Sequence, residues 1–290
     1  MPTSNPTKQL IKALKIKYDS LKKEKESLLA LIDEAEISES VYNSNAIENS
    51  TLTLKETEKI LLEMEVSRDV SLREVFEAKN LARVIEYVRE KAQEEELSEQ
   101  NILLLHQMLI SNIDESIAGR FRKKGEYVRV GTHIAPAPEH VGRLIDEVLI
   151  EYTSDLDTYF SGKIARFHLK FETIHPFNDG NGRMGRLIIN YQLQRFGFPG
   201  IIIRDKEKKI YYKAFQDYRD QNKLSTMERV INLALIESLH KRLAYLEGLT
   251  IIPLVEYAQE LEKSVHATLN AARRQTIPAF REKGIWKIGK

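Results

Sequence analysis

The feature that most restricts the fold is the string His175-Pro-Phe-Asn-Asp-Gly-Asn-Gly-Arg-Met-Gly-Arg186, set between two segments of helical apolar periodicity. Pro176 disfavours helical backbone at the residue before it, so the preceding helix must stop at His175. Gly180 and Gly182 admit positive φ, which lets backbone N–H groups close around an anion, and the next helix starts with its N-terminus aimed at the same spot. The chain is thereby committed to a helix, a tight glycine loop and a second helix. The loop collects a base, a carboxylate and two arginines, the ingredients of a phosphate site with chemistry attached.

Helical periodicity dominates elsewhere and predicts an all-α class. Leu10, Ile11, Leu14, Leu21, Leu28, Leu29 and Ile32 form one stripe and predict a helix over 6–33, followed by a short one over 37–48. Ser71 with Glu74 fits a capping box opening a helix that runs to about residue 92, and the apolar run Ile102 to Ile110 needs another. Gly119, Gly125, Gly131, Pro136 and Pro138 then punctuate an alternating Tyr-Val-Arg-Val stretch, which reads as a hairpin or flap. Helices resume over 139–154, 159–174, 182–196, 207–221 and 226–246. Residues 250–290 read as a small module of two short helices, 254–261 and 265–272, and a β-wing with Phe280 and Trp286 as its local core. A unit of that size needs to dock on the body to be stable. The expected organisation is 1–36, 37–50, 51–249 and 250–290.

The net charge of +1 over 290 residues gives no argument from overall field, so nucleic-acid binding would have to come from a local patch such as the basic tail. With no cysteine, disulfides and thiolate metal sites are excluded. The polar N-terminus lacks a signal core and no run of about eighteen apolar residues occurs, so a cytoplasmic protein without a membrane span is expected.

Phosphoryl or nucleotidyl transfer needs a deprotonated nucleophile, cations on the developing charge and in-line geometry. His175 can take a hydroxyl proton at neutral pH, and Asp179 is a hard oxygen ligand suited to Mg2+. Arg183 and Arg186, three apart on a helix, share a face and can grip phosphate oxygens, with Asn181 and the Gly180 and Gly182 backbone completing the cradle. Glu172-x-x-His175 and Glu237-x-x-His240 also match the pairing of di-iron bundles, but Pro176 breaks the helix that reading needs. Neither a P-loop nor a His-Glu-x-x-His zinc pattern is present.

The string from His175 to Arg186 resembles the signature of Fic-domain proteins, His-x-Phe-x-Asp/Glu-Gly-Asn-Gly-Arg-x-x-Arg, with every defining position filled. The likeness extends through Arg166-Phe-His168-Leu-Lys-Phe171-Glu-Thr-Ile and the flap, covering roughly residues 40–220. It implies a helical Fic fold with a hairpin flap, and transfer of AMP from ATP to a Ser, Thr or Tyr hydroxyl of a protein, possibly the chain itself. On that resemblance His175 is the general base and Asp179 holds Mg2+. Asn181, Gly180, Gly182, Arg183 and Arg186 bind phosphates, Arg186 taking the γ-phosphate, and Tyr211 and Tyr212 lie on the adenine side. Glu126, Tyr127, Val128, Arg129, Val130, Gly131, Thr132 and His133 form a flap that clamps the target backbone as an added strand.

Upstream, Ser44-Asn-Ala-Ile-Glu48-Asn49 resembles the inhibitory motif Ser/Thr-x-x-x-Glu-Gly/Asn of the Fic class that carries its own inhibitory helix. The implied restraint is direct, because Glu48 paired with Arg186 removes the cation that the γ-phosphate needs. Transfer of another nucleotide or phosphate group, removal of the modification, and a DNA-binding regulator with an ATP-sensing core stay open as alternatives. The tail from Arg273 to Lys287 resembles the wing of excisionase-like helix-turn-helix domains, which leaves residues 250–290 open to DNA binding or to docking and homo-oligomer formation.

Overall fold

The computed structural model describes residues 3–66 and 69–290, so residues 1–2 of the first expected segment and 67–68 of the third lie outside the described residues. Helices α1 (Asn5–Leu21) and α2 (Glu26–Ile47) replace the single helix predicted over 6–33. The break falls at Lys22-Lys23-Glu24-Lys25, where the apolar stripe has a gap and Glu24 takes a φ of 62°. Helix α2 then runs unbroken through residues 34–36, so the segment predicted over 37–48 is its C-terminal half. Helix α3 (Leu54–Glu58) carries a complete capping box between Thr53 and Glu56. Helix α4 (Leu72–Lys91) has only half of the predicted one. Ser71 accepts from the Glu74 N–H, but Glu74 accepts from the Thr51 N–H instead of reaching back to the Ser71 backbone.

Helix α5 (Glu99–Ile110) leads to the flap, a hairpin of two-residue strands β1 (Arg129–Val130) and β2 (His133–Ile134). Helices α6 (Val141–Ser154), α7 (Phe160–Ile174), α8 (Asn181–Arg195), α9 (Lys208–Gln221) and α10 (Ser225–Leu246) follow as the periodicity predicts. The α7–α8 hairpin is apolar on two sides because it is the middle layer of the molecule. Phe167, Phe171, Met184 and Leu187 face a core shared with α4 and α5. Leu169, Ile189 and Leu193 face a second core with α1, α9 and α10. Sandwiched this way, the glycine loop at the tip of the hairpin is held from both sides.

Residues 250–290 form helices α11 (Leu254–Glu260) and α12 (Val265–Arg273) and a sheet of order β3-β5-β4, with β3 (Ile251–Pro253), β4 (Ala279–Glu282) and β5 (Ile285–Gly289) all antiparallel. Trp286 packs at the module's core beside Leu254, Ala272 and Ile288. Phe280 does not; it is fully buried with its ring 6.3 Å from Tyr245 of α10, because β4 lies on the main body. The docking is ionic as well: Arg281 pairs with Glu237 of α10 and Glu207, and the Lys283 and Gly284 N–H groups donate to Glu39 of α2. No helix among the described residues is long and apolar enough to cross a membrane.

Candidate active site

The glycine loop is built from its own polar atoms. Asn181, predicted as a phosphate ligand, spends its amide inside the loop: Oδ1 accepts from the Phe177 N–H at 2.9 Å and Nδ2 donates to the Phe177 carbonyl at 2.8 Å. Gly180 sits at φ 82° as the N-cap of α8, where a Cβ would press within 3.2 Å of Ile110, so the turn requires glycine. Phe177 is stacked on His106 at 3.6 Å between ring centres. His106 accepts the Gly119 N–H on Nδ1 at 3.1 Å, which leaves Nε2–H to donate to the Asp179 carbonyl, also at 3.1 Å. Burial pushes this imidazole down to about 4, so it serves as a neutral strut.

His175 closes α7 in a left-handed conformation at φ 51°, its N–H on the Phe171 carbonyl. Its Nδ1 is buried without a partner, which leaves Nε2 as the nitrogen able to face the cavity that the residue lines. Burial pushes the ring down to about 4, against an upward pull from the Glu172 carbonyl, so at neutral pH the imidazole is uncharged, with one proton shared between two nitrogens. Arg122 fixes this turn to the flap. Its Nε donates to the His175 carbonyl at 2.8 Å, and its other guanidinium N–H groups reach the carbonyls of Ile174, Glu126 and Pro136.

A cavity of about 490 Å3 opens between the C-terminus of α2, the start of α4 and the N-terminus of α8. No side chain caps the first N–H groups of α8, so the helix presents them, with its dipole, to the cavity. Asp179 accepts from the Gly180 N–H and is held by Arg183 at 3.2 Å and by Arg73. Burial would raise its carboxyl, but Arg183 and Arg73 together keep it below its ordinary value. Among the described residues no three His, Asp or Glu side chains cluster as a metal cage. A Mg2+ here would therefore take one protein ligand from Asp179, in place of Arg73, and the rest from phosphates and water, a pattern that ion accepts readily. The di-iron arrangement fails because Glu237 is consumed by Arg204 and Arg281, and His240 Nδ1 is bonded to Gln275.

Arg186 is brought to Ser44 and Glu48 across 142 and 138 residues of sequence. Its Nε donates to Ser44 Oγ at 2.9 Å, and its Nη2 to the Ser44 carbonyl and to Glu48 Oε1, both at 2.8 Å. Burial alone would lower the guanidinium, but the Glu48 carboxylate beside it holds its pKa above the ordinary value. A Cβ on Gly182 would collide with Glu48 Oε1, so the second loop glycine is what admits this carboxylate. Asn49, at φ 67°, ends the helix and leaves Glu48 at its C-cap.

The remaining predicted residues fall less centrally. Tyr211 is buried with its hydroxyl 2.9 Å from His168 Nε2 and does not line the cavity, because that face of α9 packs into the core. Tyr212 donates its hydroxyl to the Ile47 carbonyl at 2.9 Å and so pins the end of α2. In the flap, Arg129, Val130, Gly131, Thr132 and His133 make the hairpin, and the Val128 carbonyl extends its ladder to Ala135. Glu126 and Tyr127 lie outside it. Glu126 is turned back in a two-pronged pair with Arg120 at 2.8 Å, and that bond holds its carboxyl down at about 2. His106, Arg122, Arg73 and Asn45 escaped the sequence reading. Asn45 sits beside Ser44, 3% exposed, with both amide atoms unpartnered at the cavity wall. Only its place inside the Ser44–Asn49 motif hinted at it.

Residues 96–193 match the Fic/DOC family. The chain is 31% identical over 219 residues to a protein adenylyltransferase Fic of Nematostella vectensis, covering 74% of this chain and 50% of that one. Against the protein of the same name from Drosophila willistoni it is 33% identical over 177 residues, covering 59% and 35%. The chain thus spans half or less of the length of these curated relatives. Its fold is similar to that of a Fic-domain-containing signaling protein from Bacteroides thetaiotaomicron, with a TM-score of 0.73 and 27% identity, covering 82% of this chain and 97% of that one.

Proposed function

For a chain that carries a domain of the Fic/DOC family, we propose the function of a self-restrained protein adenylyltransferase, moving AMP from ATP to a hydroxyl side chain of a protein. The observation that carries this reading is the meeting of His175, the open N-terminus of α8 and Glu48, itself paired with Arg186, around one cavity. The target hydroxyl gives its proton to His175 Nε2 as its oxygen bonds to the α-phosphorus, and the bond to pyrophosphate breaks in line. Arg183 and the first N–H groups of α8 hold phosphate oxygens. Asp179 would hold a Mg2+, which supplies further charge neutralisation on the phosphates when bound. Asn45 and Asn178 offer unpartnered amide atoms to the bound nucleotide.

In the resting chain Glu48 occupies Arg186, so the γ-phosphate has no cation to orient it and the α-phosphate is misplaced for attack. The flap, braced by Arg122, adds the target backbone as a strand along Arg129 and Val130. The test is incubation with ATP labelled at the α- or the γ-phosphate. Label from the α position, with a mass gain corresponding to AMP, is expected on protein, strongly increased by Glu48→Gly and abolished by His175→Ala. Transfer of the γ label instead would replace this reading with phosphoryl transfer, and an unchanged rate for Glu48→Gly would remove the self-restraint.

A further inference from the structure

Glu172 lies one helical turn before His175 and has no part in the chemistry above. Its Oε1 is buried with no hydrogen-bond partner, and so is His175 Nδ1. Oε2 stands 3.8 Å from that nitrogen, one small side-chain adjustment beyond a hydrogen bond. Gly185 on the facing helix makes the space, since a Cβ there would come within 2.6 Å of Glu172 Oε1. A buried carboxylate left unpaired is costly, and two complementary unpaired groups side by side in a catalytic turn call for a joint role.

We infer that Glu172 is a positioning residue for His175: its carboxylate closes on Nδ1–H and holds the imidazole in the tautomer whose Nε2 lone pair faces the cavity. The inference rests on the transferase reading. A neutral imidazole carries a single proton on one of two nitrogens. When ionised Glu172 accepts Nδ1–H, Nε2 is free to take the hydroxyl proton, and the resulting imidazolium stays paired with the carboxylate. When Glu172 is protonated it donates to Nδ1 instead, the ring's own proton moves to Nε2, and the base is closed.

The groups facing Glu172 make this state sensitive to the inhibitory helix. They are Glu48 at the end of α2, Arg186 and the Gly185 turn on α8, Tyr211 and Tyr212 on α9, and His168 and His175 on its own helix. Burial first and the Glu48 charge second push the carboxyl up to about 8, with Arg186 pulling the other way. Departure of Glu48 removes one of the two upward pushes and lets Glu172 ionise at lower pH. Glu48 thus acts on both ends of the site, on Arg186 directly and on His175 through Glu172.

The test uses the full chain with 15N-labelled histidine, as Glu48→Gly with and without Glu172→Met, the His175 ring signals being assigned by their loss in His175→Gln. An unprotonated Nε2 is expected at neutral pH in Glu48→Gly, and a protonated Nε2 in the unsubstituted chain and in the double variant. In parallel, the AMP-transfer rate of Glu48→Gly should show a rise with pH that the double variant lacks, with a plateau lower by about 10²-fold. Glu172→Gln, which keeps the shape, should likewise lose the pH step if Glu172→Met folds poorly. The same His175 tautomer in all proteins would overturn the inference and make the Glu172 backbone carbonyl sufficient. A tautomer change without AMP transfer would overturn the transferase reading while leaving the positioning role intact.

Discussion

Arg122 gives its backbone N–H and its guanidinium to five carbonyls, those of Pro176, His175, Ile174, Glu126 and Pro136. A planar fork can satisfy that many acceptors at fixed angles, whereas an ammonium cannot. Arg122→Lys should therefore leave buried carbonyls unsatisfied and cost about 2 kcal/mol, with faster hydrogen exchange over residues 126–136 as the readout and a slower AMP transfer alongside. Gly185 makes the converse case, because a methyl group there meets Glu172 and His168 at once. Gly185→Ala should lower stability by about 1–3 kcal/mol in urea unfolding. Both residues show where sequence reading stops. Gly185 was legible as part of the signature spacing, but nothing local says that its missing Cβ makes room for Glu172. Arg122 lies in a loop with neither periodicity nor motif around it.

Helix α2 is held by polar contacts as well as by its buried Ile32, Ile37, Val41 and Ile47. Glu39 pairs with Arg204 and accepts the Lys283 and Gly284 N–H groups; Asn43 accepts the Asp205 N–H; Ser44 and Glu48 take Arg186; Tyr212 caps the Ile47 carbonyl. Glu39→Ala removes the closer of the two carboxylates that hold the buried Arg204, leaving Glu237 at 3.2 Å, and should cost about 2–3 kcal/mol, measured by denaturant unfolding. Since Glu39 lies on the same helix as Glu48, the same substitution should raise basal AMP transfer. Periodicity located α2 only in part. Its buried Glu39, Asn43 and Asn45 look like a solvent face in sequence, and the polar stretch that does end a helix, residues 22–25, looked continuous because apolar residues resume in phase beyond it.

At the scale of the molecule, three buried histidines stay neutral well below their ordinary range, His106 and His175 to about 4 and His168 to about 3, burial being the main cause in each. The unfolded chain protonates them below about pH 6.5, so stability is full above that value and falls as pH drops toward 4. Glu172, raised to about 8 by burial and Glu48, works in the opposite sense, since it keeps a proton in the folded state that the unfolded state has lost. The three histidines outweigh the one carboxyl, so stability should fall as pH drops from about 6 to 4.5, checked by denaturant midpoints across that range. The C-terminal module is the other large-scale result. Arg281 is taken up by Glu237 and Glu207 and Lys287 by Glu282, so these two cations of β4 and β5 are paired within the protein. The helix–loop–helix at residues 175–186, the helical class and the flap were legible in the residues alone, because each of these follows from local backbone preference or periodicity. Which partner each group meets came from the packing of distant elements: Glu48 on Arg186, Phe177 on His106, His168 on Tyr211, Glu39 on the wing. Those pairings depend on how distant helices stack, and stacking is a property of the assembled cores that no short window of residues contains.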